Sequence, residues 1–420
     1  MSGPRVTIVH ERFTEHGGSE AVVEALARHW AEAPVLAPVA RDGVVADDVA
    51  PRVRSTALSR LLRGSGYAHL LPLLPIAMRR LHLPESDVVI ASHHAFATQV
   101  ALTSQAPVVA YVHTPARWVW DPALRATEGS GLGSRLGTAG LAAFSAAFRR
   151  HDVDAAQRVH TLVANSTCVA DRIRTWWGRE AQVVAPPVNT NYFNPDPKVP
   201  REDFFLLAGR LVPYKRPDLA VRAAARAGVR LVVAGEGRAR RDVEALAGPR
   251  TTFLGRIGDD ELRGLFRRCR ALLMPGVEDF GIVPVEAMAC GAPVIAAGEG
   301  GALDTVVPGL SGVLVDQVGN AGEVEAWAQA LAGFDAADLD THRVRQHAEG
   351  FSRVSFARRM SDVVESVTRG AGVPRQDPHG LHALDELLAR GAADLRAGDL
   401  RAGHESVRLP ETVSRGAHAR

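Results

Sequence analysis

Two carboxylates eight residues apart frame the run Glu278-Asp-Phe-Gly-Ile-Val-Pro-Val-Glu286-Ala-Met-Ala-Cys-Gly291. Pro284 loses no hydrogen bond in a first helical turn and Gly291 supplies a C-terminal stop, so the spacing predicts a helix starting near Ile282. The free amides of Gly281, Ile282 and Val283, at the positive end of the helix dipole, suit a phosphate. Glu278 and Glu286 only accept hydrogen bonds, which suits hydroxyl donors. A nucleotide-sugar carries both kinds of group.

Three further clusters follow strand-like runs. Ala208-Gly-Arg210-Leu-Val-Pro-Tyr-Lys215-Arg-Pro-Asp218 precedes a helix near Pro217. Fixed cations at Arg210 and Lys215 would meet the charge that develops on a departing diphosphate; the alternative is a solvated surface turn. His10-Glu-Arg-Phe-Thr-Glu-His-Gly17-Gly18-Ser19-Glu20 leads into a helix capped by Ser19. Its paired glycines either let backbone approach a ligand or make a plain tight turn. In Tyr111-Val-His113-Thr-Pro-Ala-Arg117-Trp-Val-Trp-Asp121, the strand-end His113 is either a structural hydrogen-bond donor or a group beside a transferred sugar. Taken with the other motifs, the second reading is preferred.

Other spacings argue against metals and nucleotide hydrolysis. Asp152-Val-Asp154 falls in a helical pattern, where residues two apart point to opposite sides, and reads as a solvated face. His93-His94 has no third ligand at a recognisable spacing. Gly129-Ser-Gly-Leu-Gly-Ser134 lacks a preceding strand, and no phosphate-loop motif ending in Gly-Lys-Ser or Gly-Lys-Thr occurs. No metal or cofactor is expected.

The elements that must position these groups are short valine-rich runs alternating with helical patterns, as in parallel sheets covered on both faces. The expected class is α/β, with two doubly wound Rossmann-like domains facing across a cleft. A chain of 420 residues fits two domains of about 150 to 200 residues, and 46% hydrophobic residues fill two cores. The first domain is placed at 1–188, with strands near Val6–His10, Pro34–Pro38, Val88–Ser92, Val108–His113 and Thr161–Ala164. A proline- and asparagine-rich linker occupies 189–203. The second domain, 204–345, has strands in Phe204–Leu207, Arg230–Ala234, Thr252–Gly255, Ala271–Met274, Pro293–Ala297 and Gly312–Val315. A helix in 346–370 is expected to cross back to the first domain. Residues 371–420, with Asp-Leu-Arg-Ala-Gly twice, read as a disordered tail with a short helix around Leu381–Leu395.

A net charge of +2 from 49 basic and 47 acidic residues gives no field that demands nucleic acid. Cys168, Cys269 and Cys290 lack disulfide or zinc spacing. No leader pattern opens the chain, and His69–Met78, with two prolines, is too short to span a bilayer. A cytoplasmic protein is expected. That apolar segment, flanked by Arg60, Arg63, Arg79 and Arg80, is either a packed helix or a peripheral contact at the inner membrane face.

The motifs together resemble glycosyltransferase family 4, retaining enzymes of the GT-B fold, over residues 5–370. His113-Thr-Pro-Ala-Arg-Trp-Val-Trp-Asp, Asn165-Ser166, Pro186-Pro-Val-Asn and the Glu278 run are similar to bacterial O-antigen mannosyltransferases. The resemblance implies that Arg210 and Lys215 hold the diphosphate and that Glu286 binds the ribose. It also places Glu278, Phe280, Gly281, Ile282 and Val283 against the sugar and phosphate, with His113 near the anomeric carbon. Gly17 and Gly18 would close over the phosphates, and Arg256 and Ile257, after Gly255, would touch the base. Asn189 departs from the aspartate of many relatives.

The implied reaction is metal-independent, retaining transfer of a hexose, mannose from GDP-mannose, to a lipid-linked saccharide or natural-product scaffold. The leaving diphosphate would help to deprotonate the acceptor. Asp259 or Asp260 would either read guanine or cap the next helix. A nucleotide-sugar epimerase of the same fold and a non-catalytic nucleotide-sugar-binding protein at a membrane surface are the alternatives. The acceptor loops, 40–70 and 121–140, carry no chemical signature.

Overall fold

Valine-rich strands that are apolar on both faces can satisfy their backbone only inside a sheet with helices above and below. The computed structural model, which describes residues 3–62, 67–121, 135–316, 319 and 322–370, builds two such sheets within one unit. The first comprises β1 (Val6–His10), β2 (Val35–Ala37), β3 (Val53–Ser55), β4 (Val88–His93), β5 (Val108–Val112), β6 (Thr161–Ala164) and β7 (Gln182–Val183). All pairings are parallel, in the order β3-β2-β1-β4-β5-β6-β7. The winding direction reverses between β1 and β4, where His10 and Ser92 are register partners at the carboxyl ends.

The second sheet comprises β8 (Phe205–Ala208), β9 (Leu231–Ala234), β10 (Thr251–Gly255), β11 (Ala271–Met274), β12 (Val294–Ala297) and β13 (Gly312–Val315). Its order is β10-β9-β8-β11-β12-β13, again parallel, with the reversal between β8 and β11. Ligands of open parallel sheets bind beyond the carboxyl ends at such reversals. The Arg210 and Glu278 motifs follow β8 and β11 directly. A cavity of about 590 Å³ between residues 79–86 and 103–107 lies instead at the amino ends of β4 and β5, away from these motifs.

The helices used below are α1 (Gly18–His29), α2 (Arg135–Arg158), α3 (Thr167–Trp177), α4 (Pro217–Ala227), α5 (Asp259–Arg268), α6 (Ile282–Ala289) and α7 (Arg353–Thr368). Ser166 caps α3 by accepting the Val169 amide, and Gly178, at φ +63°, ends it. Ser352 caps α7, whose Phe356, Met360, Val363, Val364 and Val367 enter the core of the first lobe with Val22 and Leu26. Full burial of side chains such as Phe356 and Met360 stabilises that return by roughly 1.5–3 kcal/mol each. The second lobe has one core on each face of its sheet.

One expectation about the fold needs correction. Asp152 is buried rather than solvated, because the Trp120 and Trp177 indole N–H groups donate to it at 2.7 and 2.9 Å, while Asp154 on the opposite side is exposed. Burial lifts the Asp152 acid to about 7 against the pull of those two bonds. In the apolar segment, Leu70, Leu74, Pro75 and Met78 are buried but Leu73 and Ile76 are exposed. Among the described residues no helix is long and apolar enough to cross a membrane. The expected helix at Leu381–Leu395 and the Gly129–Ser134 run lie outside the described residues.

Candidate active site

In the second lobe, α6 starts at Ile282 after Gly281, whose φ of +86° a side chain would strain. A Cβ on Gly276 would come within 2.4 Å of the Lys215 backbone, so only glycine lets the loop after β11 press against the loop after β8. That approach sets Lys215 Nζ 2.6 Å from Glu278 Oε1, with both side chains about four-fifths buried. Arg210 is exposed, and its guanidinium donates to the Tyr214 hydroxyl at 3.3 Å. Phe280 is buried, while Ile282 and Val283 are partly buried.

Glu286 is partly buried and accepts no hydrogen bond from a described residue. Burial, then the nearby Asp259 charge, lifts its acid to about 7. Gly255, at φ +73°, turns the chain so that Arg256 is exposed and Ile257 packs partly on the core. Neither aspartate caps α5, whose first residue follows Gly258 without a side-chain cap. Asp260 instead accepts from Tyr192 Oη and Arg263, each at 2.8 Å.

In the first lobe, α1 begins one residue before the expected cap: Gly17 is its N-cap, and Ser19 caps nothing. The buried Glu20 carboxylate takes the Ser19 hydroxyl at 2.8 Å. Gly18 meets the other lobe, since a Cβ there would lie 3.0 Å from Ile282 Cδ1. The glycine pair and the start of α6 are thus brought together.

His113 is buried, stacked on His94 at 4.7 Å, with Tyr111 edge-on. Burial, then the repulsion it would meet from protonated His94 and His10, holds its pKa well below the usual histidine range, so it is neutral. Its Nε2 lies 2.8 Å from Ser92 Oγ, which lies 3.1 Å from His10 Nδ1; His10 Nε2 is 3.5 Å from Glu20 Oε1. For Glu20, burial pushes the pKa up, but the His10 contact and the Ser19 hydroxyl outweigh it and bring it to about 2. Reading the motifs passed over His10, Glu20 and Ser92. Two of them lay inside a quoted motif, but only strand register puts His10 beside Ser92.

His93 and His94 form no metal set. His93 Nδ1 accepts the Thr98 amide at 3.2 Å, and among the described residues no cluster of three metal-ligating side chains forms. Glu11 accepts the amides of His94, Ala95, Phe96 and Ala97, a backbone nest filled by the protein's own carboxylate.

Also missed were the contacts across the cleft. Asp279 pairs with Arg172 and stands 3.6 Å from Arg117, and its carbonyl accepts from Cys168 Sγ at 3.2 Å. Asp304 accepts the Thr167 amide at 2.9 Å, at the amino end of α3. The residue next to Glu278 therefore ties the lobes together.

Residues 188–334 match the family model for glycosyl transferases group 1, and residues 16–192 match the model for Glycosyltransferase Family 4. The chain belongs to glycosyltransferase family 4. This family 4 chain is 37% identical over 196 residues to the D-inositol 3-phosphate glycosyltransferase of Mycolicibacterium paratuberculosis, covering 40% of itself and 44% of that protein. Against the D-inositol 3-phosphate glycosyltransferase of Mycobacterium bovis it is 32% identical over 279 residues, covering 60% of itself and 54% of the relative. It thus spans about half the length of the curated relatives it matches. The Anabaena HepE structure in complex with UDP superimposes with a TM-score of 0.63 at 19% identity, covering 86% of this chain and all of that one. Sucrose-phosphate synthase from Thermosynechococcus elongatus gives 0.63 at 20% identity, covering 87% of this chain and all of that one. At such identities these neighbours show the fold alone, which is GT-B.

Proposed function

We propose that this family 4 protein is an enzyme that moves a hexose from a nucleotide-sugar to an acceptor hydroxyl with retained anomeric configuration. The observation that carries the reading is the grouping at the β8–β11 reversal: the start of α6, the Lys215–Glu278 pair, Arg210, and Glu286 with its hydrogen-bonding capacity unspent within the described protein. The diphosphate lies at the amides of Gly281 to Val283, between Arg210 and Lys215. Glu286 accepts from the ribose hydroxyls, Glu278 and the Phe280–Val283 turn face the sugar, and Arg256 and Ile257 border the base. The glycine pair at Gly17 and Gly18 covers the phosphates, against Ile282.

As the bond to the anomeric carbon stretches, negative charge grows on the departing diphosphate. Fixed cations and helix amides stabilise that charge more than they stabilise the bound donor. Glu278 is tied to Lys215 at 2.6 Å, which blunts it as a nucleophile, so a front-face route without a covalent sugar intermediate is the mechanism we assign. The route needs no metal ion. His113 stands beside the reacting carbon.

Mannose from GDP-mannose is the donor assigned by the motif phrases, with Asp259 left to read guanine because Asp260 is held by Tyr192 and Arg263. A uridine donor is the second reading, favoured by the UDP complexes among the structural neighbours. The acceptor is a hydroxyl of a lipid-linked saccharide or a phosphorylated polyol, the latter suggested by the relatives' names. Exposed Leu61, Leu73 and Ile76, beside Arg60 and Arg80, provide a face for peripheral contact with the cytoplasmic membrane surface.

Thermal-shift titration with GDP, UDP and dTDP, followed by mass spectrometry of products formed from the matching sugar nucleotide and a lipid extract, tests the assignment. Stabilisation by one nucleotide and a product heavier than the acceptor by one hexose are expected. No stabilisation by any nucleotide sinks the reading, and an isomerised donor without acceptor replaces transfer by epimerisation.

A further inference from the structure

We propose that Glu20, His10 and Ser92 form a proton relay behind His113, through which His113 takes the acceptor hydroxyl's proton while the positive charge comes to rest on His10. The proposal deepens the transfer reading, puts His113 in place of the leaving diphosphate as the group that takes the acceptor's proton, and depends on that reading for the identity of the proton donor.

The argument starts at the carboxylate. Glu20 Oε2 accepts the Ser19 hydroxyl and Oε1 faces His10 Nε2, so the ionised acid draws the ring proton of His10 onto Nε2. His10 Nδ1 then carries a lone pair and accepts the Ser92 hydroxyl at 3.1 Å. The Ser92 oxygen in turn accepts Nε2–H of His113 at 2.8 Å. One choice of direction runs through all the contacts, and it leaves the lone pair of His113 on Nδ1, which has no hydrogen-bond partner among the described residues.

The step balances. The acceptor oxygen bonds to the anomeric carbon as its proton passes to His113 Nδ1. Nε2–H moves to Ser92 Oγ, the Ser92 proton moves to His10 Nδ1, and the bond to the diphosphate breaks with its electron pair leaving on oxygen. His113 ends neutral in its other tautomer, and the imidazolium is His10 against the Glu20 carboxylate.

The surroundings favour this destination. His113 is packed between His94 and Tyr111, which offer it no counter-charge. His10 is buried against Phe13, with Glu20 on its far nitrogen. Arg12 and Glu11 form a further loose pair at 3.9 Å nearby, and both ionised groups stay outside the relay. Strand register supplies the geometry, because His10 and Ser92 are direct partners across β1 and β4, and Ser92 is paired with Tyr111 on β5, two residues before His113. Glu20, on the first turn of α1, connects the relay to the glycine pair: a Cβ on Gly17 would lie 3.1 Å from Glu20 Oε2. Ser92, His10 and Glu20 are positioning residues, since His113 alone would touch the reacting groups.

The test uses the full chain and two readouts. Nitrogen-15 NMR of the histidine rings, with His113 assigned by loss of its signals in His113→Gln, should show His113 protonated on Nε2 and bare on Nδ1, and Ser92→Ala should abolish that preference. Release of nucleoside diphosphate from GDP-mannose and from UDP-glucose, with water as acceptor, reads turnover. Ser92→Ala should lower kcat about 10- to 100-fold, with KM for the donor within about twofold. Glu20→Gln, which keeps the contact to His10 but removes the charge, should lower kcat at least as much and flatten its pH profile. His113 protonated on Nδ1 in the resting protein, or unchanged kcat in both variants of a hydrolysing wild type, overturns the relay. A wild type that releases diphosphate from neither donor overturns the transfer reading instead, and the NMR result still decides the relay.

Discussion

In the first lobe, the polar groups beyond the strand ends are buried and bonded to one another: Glu20 to His10, His10 to Ser92, Ser92 to His113, and Glu11 to four backbone amides. In the second lobe, Arg210 is exposed and bonded to Tyr214 at its own surface, Glu286 takes no hydrogen bond from a described side chain, and Lys215 is paired with Glu278. A buried polar group without a partner is costly, so the first lobe fixes its geometry as it folds. The second keeps hydrogen-bonding capacity unspent, which under the proposed transfer reaction is the capacity that differential binding of a transition state requires. Substitutions in the first lobe should therefore register in stability and proton position, and those in the second in binding and turnover with the fold intact.

The largest effect expected from this contrast is at Asp152. Its folded-state acid is raised to about 7 from an ordinary 3.8, so the fold binds the proton more tightly than the unfolded chain. Its stabilising contribution is complete below the ordinary value and is lost as pH rises through about 7, by on the order of 4 kcal/mol. Urea melts between pH 4 and pH 8 should show that decline in the wild type and lack it in Asp152→Asn; the same slope in both would remove Asp152 from the sealed set.

Next in size, Lys215→Ala should lower kcat about 100-fold or more, the loss of roughly 3 kcal/mol of transition-state stabilisation, with an unchanged melting temperature. Near-normal turnover would erase the distinction between the lobes at its strongest point. Glu286→Gln should weaken nucleotide binding about tenfold, near 1.4 kcal/mol, read by calorimetry. Without ligand its stability should behave oppositely: because the Glu286 acid is raised to about 7, wild-type stability falls as pH rises towards 8, and the glutamine variant falls less.

The smallest effect is expected where the lobes meet. Arg172 and Asp279 keep about a fifth of their side chains in solvent, and Asp279 retains Arg117 as a second cation, so Arg172→Ala should change stability by about 1 kcal/mol or less. It should loosen the lobes, seen as a larger radius of gyration in X-ray scattering. An unchanged radius would mean that the Asp304 contact with Thr167, at the start of α3, holds the cleft without help.

Much of this architecture was legible in the residue order. Valine-rich runs marked nearly every strand of both sheets, and the glutamate, arginine and glycine motifs marked the loops after β1, β8 and β11. Pro284 and Gly291 placed the start of α6 at Ile282, since backbone chemistry acts over a few neighbouring residues. Ser19 was misread as a cap because Glu20 takes its hydroxyl, a competition settled by burial. Asp152 was misread as solvated because its indole partners come from residues 120 and 177, distant in the chain.

The sequence by itself determined which segments are strands, which turns carry charge and glycine, and which side chains have the chemistry for a phosphorylated sugar. All of these depend on residue types and short spacings. The tertiary structure alone decided that His10, Ser92 and His113 share one line of hydrogen bonds, that Lys215 meets Glu278, and that Gly18 meets Ile282. Those pairings depend on strand order, register and the closure of one lobe on the other, which arise from packing among residues scores of positions apart.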